Sequence, residues 1–514
     1  MLLSVLCLSV LIFVVPANAV EYGTMTPPKE DALQFIDDHA DLMREVSTYI
    51  WHHPELGLGE HYSSAVLIDM LQRAGFTVET GVAGMDTAFI ATWGSGKPYI
   101  GFHLEYDALP ELSQVAGSTT REMIVPGAPG HGCGHNYFGT ASAIAGMAVK
   151  HAMERHNIPG TLRLYGTPAE ETLVGKAFFA KYGIYDNDDV VISWHPGQVS
   201  GVNYNSSLAM DNFKVRYRGI SAHAASNPWD GRSALDAVEL FNISMNFMRE
   251  HVRPETRIHY VITNGGSAPN VVPPFAEVWY FVRAPQYHMV QDLVDRARRA
   301  AEGAALMTDT EMEFIKITGV WQYLPNRAFA RIGHANVELI GGTPHCEEHQ
   351  RIAEEFARTW GITEYPFINT GITNWVDEPF TWATGGGSID EANTSWIVPM
   401  IRFSAANVAR GTPGHSWQRV AQDVLEPAYL GSQVVAKYMA ATALDILMNP
   451  ALLEEIWDDH RDSLERFGPY FCPVADVPVP SFELMHGVTE ASVPRQWEVA
   501  PYPYPDFDTL LRIY

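Results

Sequence analysis

Three short apolar runs constrain the fold more than any other feature of this chain. Tyr99-Ile100-Gly101-Phe102-His103-Leu104, Thr161-Leu162-Arg163-Leu164-Tyr165 and Val190-Val191-Ile192-Ser193-Trp194 have strand length, and each stops at polar or glycine-containing residues. Between the first two stands Tyr137 to Ala152, an Ala/Gly/Met-rich stretch suited to a closely packed helix. Ser63 to Ala74, closed by Gly75, reads as another helix. The spacing of Leu33, Ile36, Leu42, Val46 and Ile50 predicts one amphipathic helix from Lys29 to Tyr49. Strands alternating with helices predict an α/β sheet covered by helices on both faces. Such sheets place their sites just past the strand ends.

Between about 208 and 325 the pattern changes. Phe213, Val215 and Tyr217 alternate like a half-buried strand that Gly219 stops. Ser233 to Arg249 has helical spacing, Ile258 to Thr263 and Glu277 to Arg283 read as strands, His288 to Ala305 as a helix, and Glu311 to Thr318 as a strand. That order, β-α-β-β-α-β, is the ferredoxin-like plan. The chain thus divides into a catalytic domain at 20–207, an inserted domain at 208–325, and the rest of the catalytic domain at 326–514. From Pro450 onward the sequence is rich in Pro and aromatics, which predicts a segment wrapped over the catalytic body.

Residues 1–19 carry no charge and read as a secretory signal: an apolar run from Leu2 to Val15, then Pro16 and the small residues of Ala17-Asn18-Ala19. Export to the periplasm or medium follows, or a cytoplasmic location if this segment is misassigned. The run is too short for a comfortable membrane span, and no later stretch reads as one. With 34 basic against 60 acidic residues the net charge is −26, which argues against nucleic-acid and anionic-membrane partners. Four cysteines in 514 residues are no disulfide scaffold, and Cys7 lies in the signal.

The most informative segment is Gly130-His131-Gly132-Cys133-Gly134-His135-Asn136. It sets a thiol and an imidazole two residues apart in a tight turn, and these are donors that zinc prefers. Alone, the pair reads equally as a buried cysteine beside surface histidines. Glu170-Glu171 follows the strand ending at Tyr165. Adjacent carboxylates there need a cation or a proton to relieve their repulsion, so one can bind metal while the other serves as general base. A solvated acidic pair at a helix start is the plain alternative. His195-Pro196 comes directly after Trp194, where a lone histidine is commonly a hydrogen-bonded core residue.

Seven motifs then occur in a family's order: Glu105-Tyr106-Asp107-Ala108-Leu109-Pro110, Gly132-Cys133-Gly134-His135-Asn136, Gly166-Thr167-Pro168-Ala169-Glu170-Glu171, Trp194-His195-Pro196, Ser221-Ala222-His223-Ala224-Ala225, Gly387-Ser388-Ile389-Asp390 and Gly411-Thr412-Pro413-Gly414-His415. The chain resembles the two-metal amidohydrolases of the aminoacylase and carboxypeptidase family over nearly all its length after the signal. The resemblance implies a zinc-peptidase-like catalytic domain with an inserted lid and dimerisation domain. It implies five protein ligands, Cys133, His135, Glu171, His195 and His415, for two divalent ions, Zn or Mn, with Glu170 as general base. Asp107 falls where a carboxylate would orient a ligand. His223 would donate to the oxyanion across a homodimer interface, the plain alternative being a helix-entry residue without a catalytic part. Asn270, Arg283, Ser388 and Asp390 fall at supporting or substrate-binding positions, and Arg283 suits a substrate carboxylate. The implied activity is cleavage of N-acyl amino acid amides, aminobenzoyl-glutamate foremost. An exported dipeptidase, carboxypeptidase or N-acyl amino acid deacylase is the alternative, and a silent peptide-binding relative a further one. Two departures stand out: Asn136, where many members carry Asp, and the signal, since aminobenzoyl-glutamate enzymes are intracellular.

Three remaining features bear on the site. His345-Cys346-Glu347-Glu348-His349 matches the inverted zinc-protease motif. Thr343-Pro344 would be its N-cap and first helical residue, but no third ligand lies nearby in sequence. Gly385-Gly386-Gly387 reads as a backbone turn near the site. Trp194, Trp229, Trp396 and Trp417 stand close to motif residues and would offer stacking surfaces to an aromatic acyl group.

Overall fold

The computed structural model describes residues 22–511, so the signal reading and Cys7 lie outside it. Eleven strands are assigned among these residues: β1 Thr77–Thr80, β2 Phe89–Ser95, β3 Tyr99–Leu104, β4 Gly160–Gly166, β5 Val190–Gly197, β6 Gly201–Val202, β7 Ala209–Arg218, β8 Arg257–Asn264, β9 Phe275–Ala284, β10 Glu311–Val320 and β11 Met400–Ala406. Seven form a mixed sheet in the order β1-β2-β4-β3-β5-β11-β6. The central strands β4, β3, β5 and β11 are mutually parallel. Parallel strands need helical crossovers on the sheet faces, which is why the apolar runs are buried almost throughout.

Helix His135–His156 makes the crossover from β3 to β4, and seventeen of its twenty-two residues are buried. It packs beneath the sheet with helix Glu426–Met448 and the N-terminal helices. The single helix expected over Lys29 to Tyr49 is two helices, Pro27–Asp38 and Ala40–His52. The chain turns at His39 (φ −107°, ψ 21°), whose ring bonds back to the Phe35 carbonyl at 2.8 Å. Both halves still bury their apolar stripe, so the periodicity survives the break.

The second sheet contains β10-β7-β9-β8, all antiparallel. Helices Ala234–Met248 and Tyr287–Thr308 cover one face, which realises the β-α-β-β-α-β plan with its own core. On β9, Ala276, Val278, Tyr280 and Val282 point into that core. The alternate residues Trp279, Phe281 and Arg283 point the other way and line the cavities of the catalytic domain. Beyond Pro450 the chain forms helix Leu452–Phe467 and then short turns laid on both domains. The Trp321 Nε1 donates to the Phe471 carbonyl at 3.0 Å, and the Tyr502 hydroxyl donates to Glu45 at 2.9 Å.

Helix Glu347–Ala357 begins after the expected N-cap, with Cys346 in that position. Thr343 is engaged elsewhere, its hydroxyl 3.0 Å from that of Ser200. His345 therefore precedes the helix; its Nε2 binds the Ala406 carbonyl at 2.8 Å, and its Nδ1 lies 3.4 Å from His349 Nδ1. No third potential metal ligand joins them among the described residues. Cys133, Cys346 and Cys472 are free.

Candidate active site

Parallel pairing aligns the carboxyl ends of β3, β4 and β5, with Leu104 opposite Gly166 and Phe102 opposite both Leu164 and Ile192. The loops leaving those ends therefore converge. Cys133 and His135 come from the turn that opens helix His135–His156, where Gly134 takes φ +84°. A Cβ at Gly134 would stand 2.6 Å from both Arg419 Nη2 and the Tyr137 hydroxyl, so the turn needs glycine on two counts. Glu170 and Glu171 start a single helical turn after β4, His195 lies within β5, and His415 follows β11.

These side chains meet. Cys133 Sγ lies 3.3 Å from His195 Nε2, and His415 Nε2 lies 3.3 Å from Glu171 Oε2. Two three-residue sets, Cys133/His135/His195 and Cys133/Glu171/His415, each have donor atoms within 4.8 Å of one another and share the thiol. A third set, Glu105/His135/Glu170, adjoins them. Asp107 accepts from His135 Nδ1 at 2.8 Å and from the Glu171 backbone N–H at 2.9 Å. That pair of bonds fixes the imidazole's tautomer so that Nε2 faces the cluster.

The donor set fits divalent cations. Glu171 Oε1 is buried without a hydrogen-bond partner, and buried His135 Nε2 and Glu105 Oε2 face only each other at 3.3 Å, a state that buried polar atoms rarely keep unless an ion satisfies them. Electrostatics agree. Burial pushes the Glu171 carboxyl up to about 8 and the Cys133 thiol up to about 12. Burial also lifts Glu170 well above the usual carboxylate range, with the charges of Glu105 and Asp390 adding to it. Burial opposes a proton on His135, but hydrogen bonds to Asp107 and Cys133 and the charges of both together outweigh it and raise that imidazole. A bound dication reverses this logic by favouring every deprotonated donor.

Sequence reading missed a buried network behind the cluster. Lys176 Nζ lies 2.8 Å from Glu105 and 2.7 Å from Asp390, and its backbone N–H donates to the same aspartate at 2.8 Å. Glu105 in turn lies 3.3 Å from His135 Nε2. Glu105 stands in the same strand-end motif as Asp107, which was the available signal. Lys176 gives none, because its partner Asp390 is 214 residues away. Asp390 is thus a buried support of Lys176 rather than a substrate contact.

Ser388, Arg283 and the glycine turn 385–387 line a polar cleft with Glu170, His195 and His415. The Arg283 Nε is buried without a hydrogen-bond partner. Its guanidinium sits over the Phe281 ring, 5.7 Å from the centroid. Asn270 and His223 are elsewhere. Both are on the inserted domain and neither lines the cleft; there the Asn270 carbonyl accepts from the Ala224 N–H at 3.0 Å. His223 Nδ1 accepts from the N–H groups of Ala225 and Ser226 at 3.2 and 3.1 Å, so Nε2 carries the proton and is left free as a donor. Within one chain it does not line the cleft.

The four tryptophans are not stacking walls. Trp194 is buried against Phe138, Trp396 belongs to the inserted-domain core, Trp229 is 72 % exposed, and Trp417 lines neither cavity. Asn136 donates to the Asp423 carbonyl at 2.9 Å and so ties the turn to the fold.

Residues 209–307 match the family described as the peptidase dimerisation domain. The chain is 38% identical over 479 residues to one of the subunits of the p-aminobenzoyl-glutamate hydrolase of Escherichia coli, covering 88% of this chain and 99% of that protein. It is 30% identical to the human Xaa-Arg dipeptidase, covering 84% and 91% of the two chains. The crystal structure of an aminobenzoyl-glutamate utilization protein from Klebsiella pneumoniae shares the fold, with a TM-score of 0.50 at 17% identity over 79% of this chain and 98% of that one. With the strand-end cluster and the inserted ferredoxin-like domain in place, the chain belongs to the M20 peptidase family and is a metallo-amidohydrolase.

Proposed function

We propose that this enzyme hydrolyses the amide bond of N-acyl amino acids, with an aminobenzoyl-glutamate-type compound as the leading substrate. The observation that carries this reading is a single wall of the site. The unpaired guanidinium of Arg283 shares the cleft with the metal-ligand cluster, and a substrate carboxylate bound to it keeps the neighbouring N-acyl bond beside that cluster. Cys133, His135, Glu171, His195 and His415 would hold two divalent ions, Zn or Mn. Bound there, the ions would polarise the amide carbonyl and lower the pKa of water.

The chain's own groups do the rest. Glu170 accepts a proton from the attacking water on its carboxylate and returns it to the leaving nitrogen. Asp107 keeps His135 in the tautomer that presents Nε2, and Lys176 with Asp390 holds Glu105 against the same imidazole. Arg283 and Ser388 orient the amino acid half. His223 of a second copy supplies its Nε2–H to the oxygen that gains charge as the carbonyl becomes tetrahedral. That role fits a homodimer formed through the inserted domain, and it fits the free Nε2 of His223. The signal-like character of residues 1–19 supports a location outside the cytoplasm.

The test is a hydrolysis screen of the metal-loaded protein with Zn or Mn. Substrates are N-(4-aminobenzoyl)-glutamate, N-acyl amino acids with other acyl groups, and dipeptides ending in arginine. Turnover of N-acyl glutamates above the dipeptides supports the proposal. Preference for the dipeptides moves the function to peptide cleavage, and failure on all three classes ends it.

A further inference from the structure

We propose that an apolar chamber beside the metal-ligand cluster receives the acyl half of the substrate, with an aromatic ring as its preferred occupant. The carboxy-terminal segment 482–497 is the wall that selects it. This inference rests on the N-acyl amino acid reading above.

The chamber encloses about 580 Å³, within the usual range for a small-molecule site and ample for one aromatic ring. It adjoins the polar cleft, and Glu171 and Phe281 line both. Strand β9 acts as a ruler across the junction. Trp279, Phe281 and Arg283 share one strand face: Trp279 lies in the chamber, Phe281 at the junction and Arg283 in the cleft. The four residue steps from Trp279 to Arg283 span about 13 Å, close to the extended length of an aromatic acyl amino acid. The wall therefore changes from apolar to cationic in the order that acyl group, scissile amide and carboxylate follow. Trp279 and Phe281 meet edge to face, with centroids 5.5 Å apart, and present a rigid aromatic surface.

The opposite wall is supplied by Val488, Val493 and Pro494 of the carboxy-terminal segment. That segment is fastened on both sides of these residues. His486 Nε2 binds the Gly57 carbonyl at 2.9 Å, and Phe482 packs so closely that a Cβ at Gly59 would stand 2.9 Å from its ring. Beyond the wall, Gln496 accepts from the Ser113 hydroxyl at 3.0 Å, and Trp497 stacks on His53. A strap tied at both ends, and touched between them by His61 at 3.5 Å from Glu490, can change its valines while its anchors hold. It is suited to setting acyl specificity.

The experiment uses the full-length, metal-loaded enzyme and the variants Val488→Asp and Val493→Asp. The first readout is the ratio of kcat/KM for N-benzoyl-glutamate to that for N-acetyl-glutamate, in which any inactive fraction cancels. The wild type favours the benzoyl substrate, and each variant lowers the ratio by about tenfold or more, the scale of discrimination an apolar pocket provides. The second readout is calorimetric binding of benzoate and acetate, which needs no turnover. Benzoate binds the wild type more tightly than acetate, and the variants lose that difference. An unchanged kcat/KM ratio, or equal binding of the two acids by the wild type, overturns the inference. If neither N-acyl glutamate is cleaved, the substrate reading has failed, and the benzoate measurement alone decides the chamber.

Discussion

The central strands of the seven-stranded sheet are sealed on both faces and offer chemistry at their ends, whereas the edge strand β8 of the four-stranded sheet lies largely in solvent. Strands β3 and β5 are buried along nearly all their length. Strand β8 buries one of its eight residues; Tyr260 and Val261 line the apolar chamber and are 38 % and 53 % exposed, and Ile262 is 40 % exposed. An open apolar edge with unpaired backbone groups invites another strand. The difference teaches where this enzyme is self-sufficient. The proposed metal ligands come from the ends of four strands of one sheet and meet within a single chain. The free donor of His223 sits on the other sheet's domain and does not line the cleft of its own chain.

The largest effect that sharpens this contrast belongs to the first sheet. Glu170→Gln removes a proton acceptor while leaving all five proposed ligands, so kcat falls by about 10²–10⁴-fold with metal content unchanged. Metal analysis beside steady-state kinetics checks it. Loss of metal with activity would instead make Glu170 a ligand. Next comes a mixing experiment. His223→Ala alone loses about 10²–10³-fold in kcat, as oxyanion donors do. Mixed with Glu170→Gln and allowed to exchange subunits, it recovers about a quarter of the wild-type rate. Half of the dimers are then mixed, and one site in each has both groups intact. No recovery would place His223 in its own chain's site or outside catalysis.

A smaller effect probes the protons on the cluster. With Glu171 held up to about 8 and Cys133 up to about 12 by burial, loading metal at neutral pH must release protons. Apparent affinity then climbs as pH rises, by up to about tenfold per pH unit for each proton released, and falls as pH drops. Chelator competition at about pH 6 and about pH 8 measures the slope, and a flat response would mean the donors are already ionised.

Much of this architecture is legible in the residues alone. The three apolar runs mark β3, β4 and β5, and period-two alternation with helical spacing marks the inserted domain, because local pattern encodes those features strongly. The converging side chains are legible because each lies at or after a strand end. What escapes depends on distant contacts. His39 breaks a helix whose apolar stripe continues across the break. Strand β11 shows little in its own sequence, yet it carries the chain to His415. Thr343 has the chemistry of an N-cap but spends its hydroxyl on Ser200. Lys176 acquires meaning only from Glu105 and Asp390. The tryptophans near motifs mislead, since closeness in sequence does not decide which face a side chain takes. Trp279, which no motif flags, is the one that lines a cavity beside the cluster.

The edge of β8 yields the smallest and most discriminating effect. Ile262 is 40 % exposed on that edge strand and lines neither cavity. A lysine there is the charge that natural edges use to repel a partner strand, and it costs the fold little because the side chain already reaches solvent. Ile262→Lys should weaken self-association by about tenfold, equal to about 1.4 kcal/mol, as read by sedimentation across a concentration series. Specific activity should then fall on dilution in step with dissociation, while metal content per chain stays constant. That pairing separates the two sheets, because under the proposed function only the donor from the second copy depends on association. If the dissociated chain keeps full activity, the open edge is not what completes the site, and the oxyanion donor belongs to the first sheet after all.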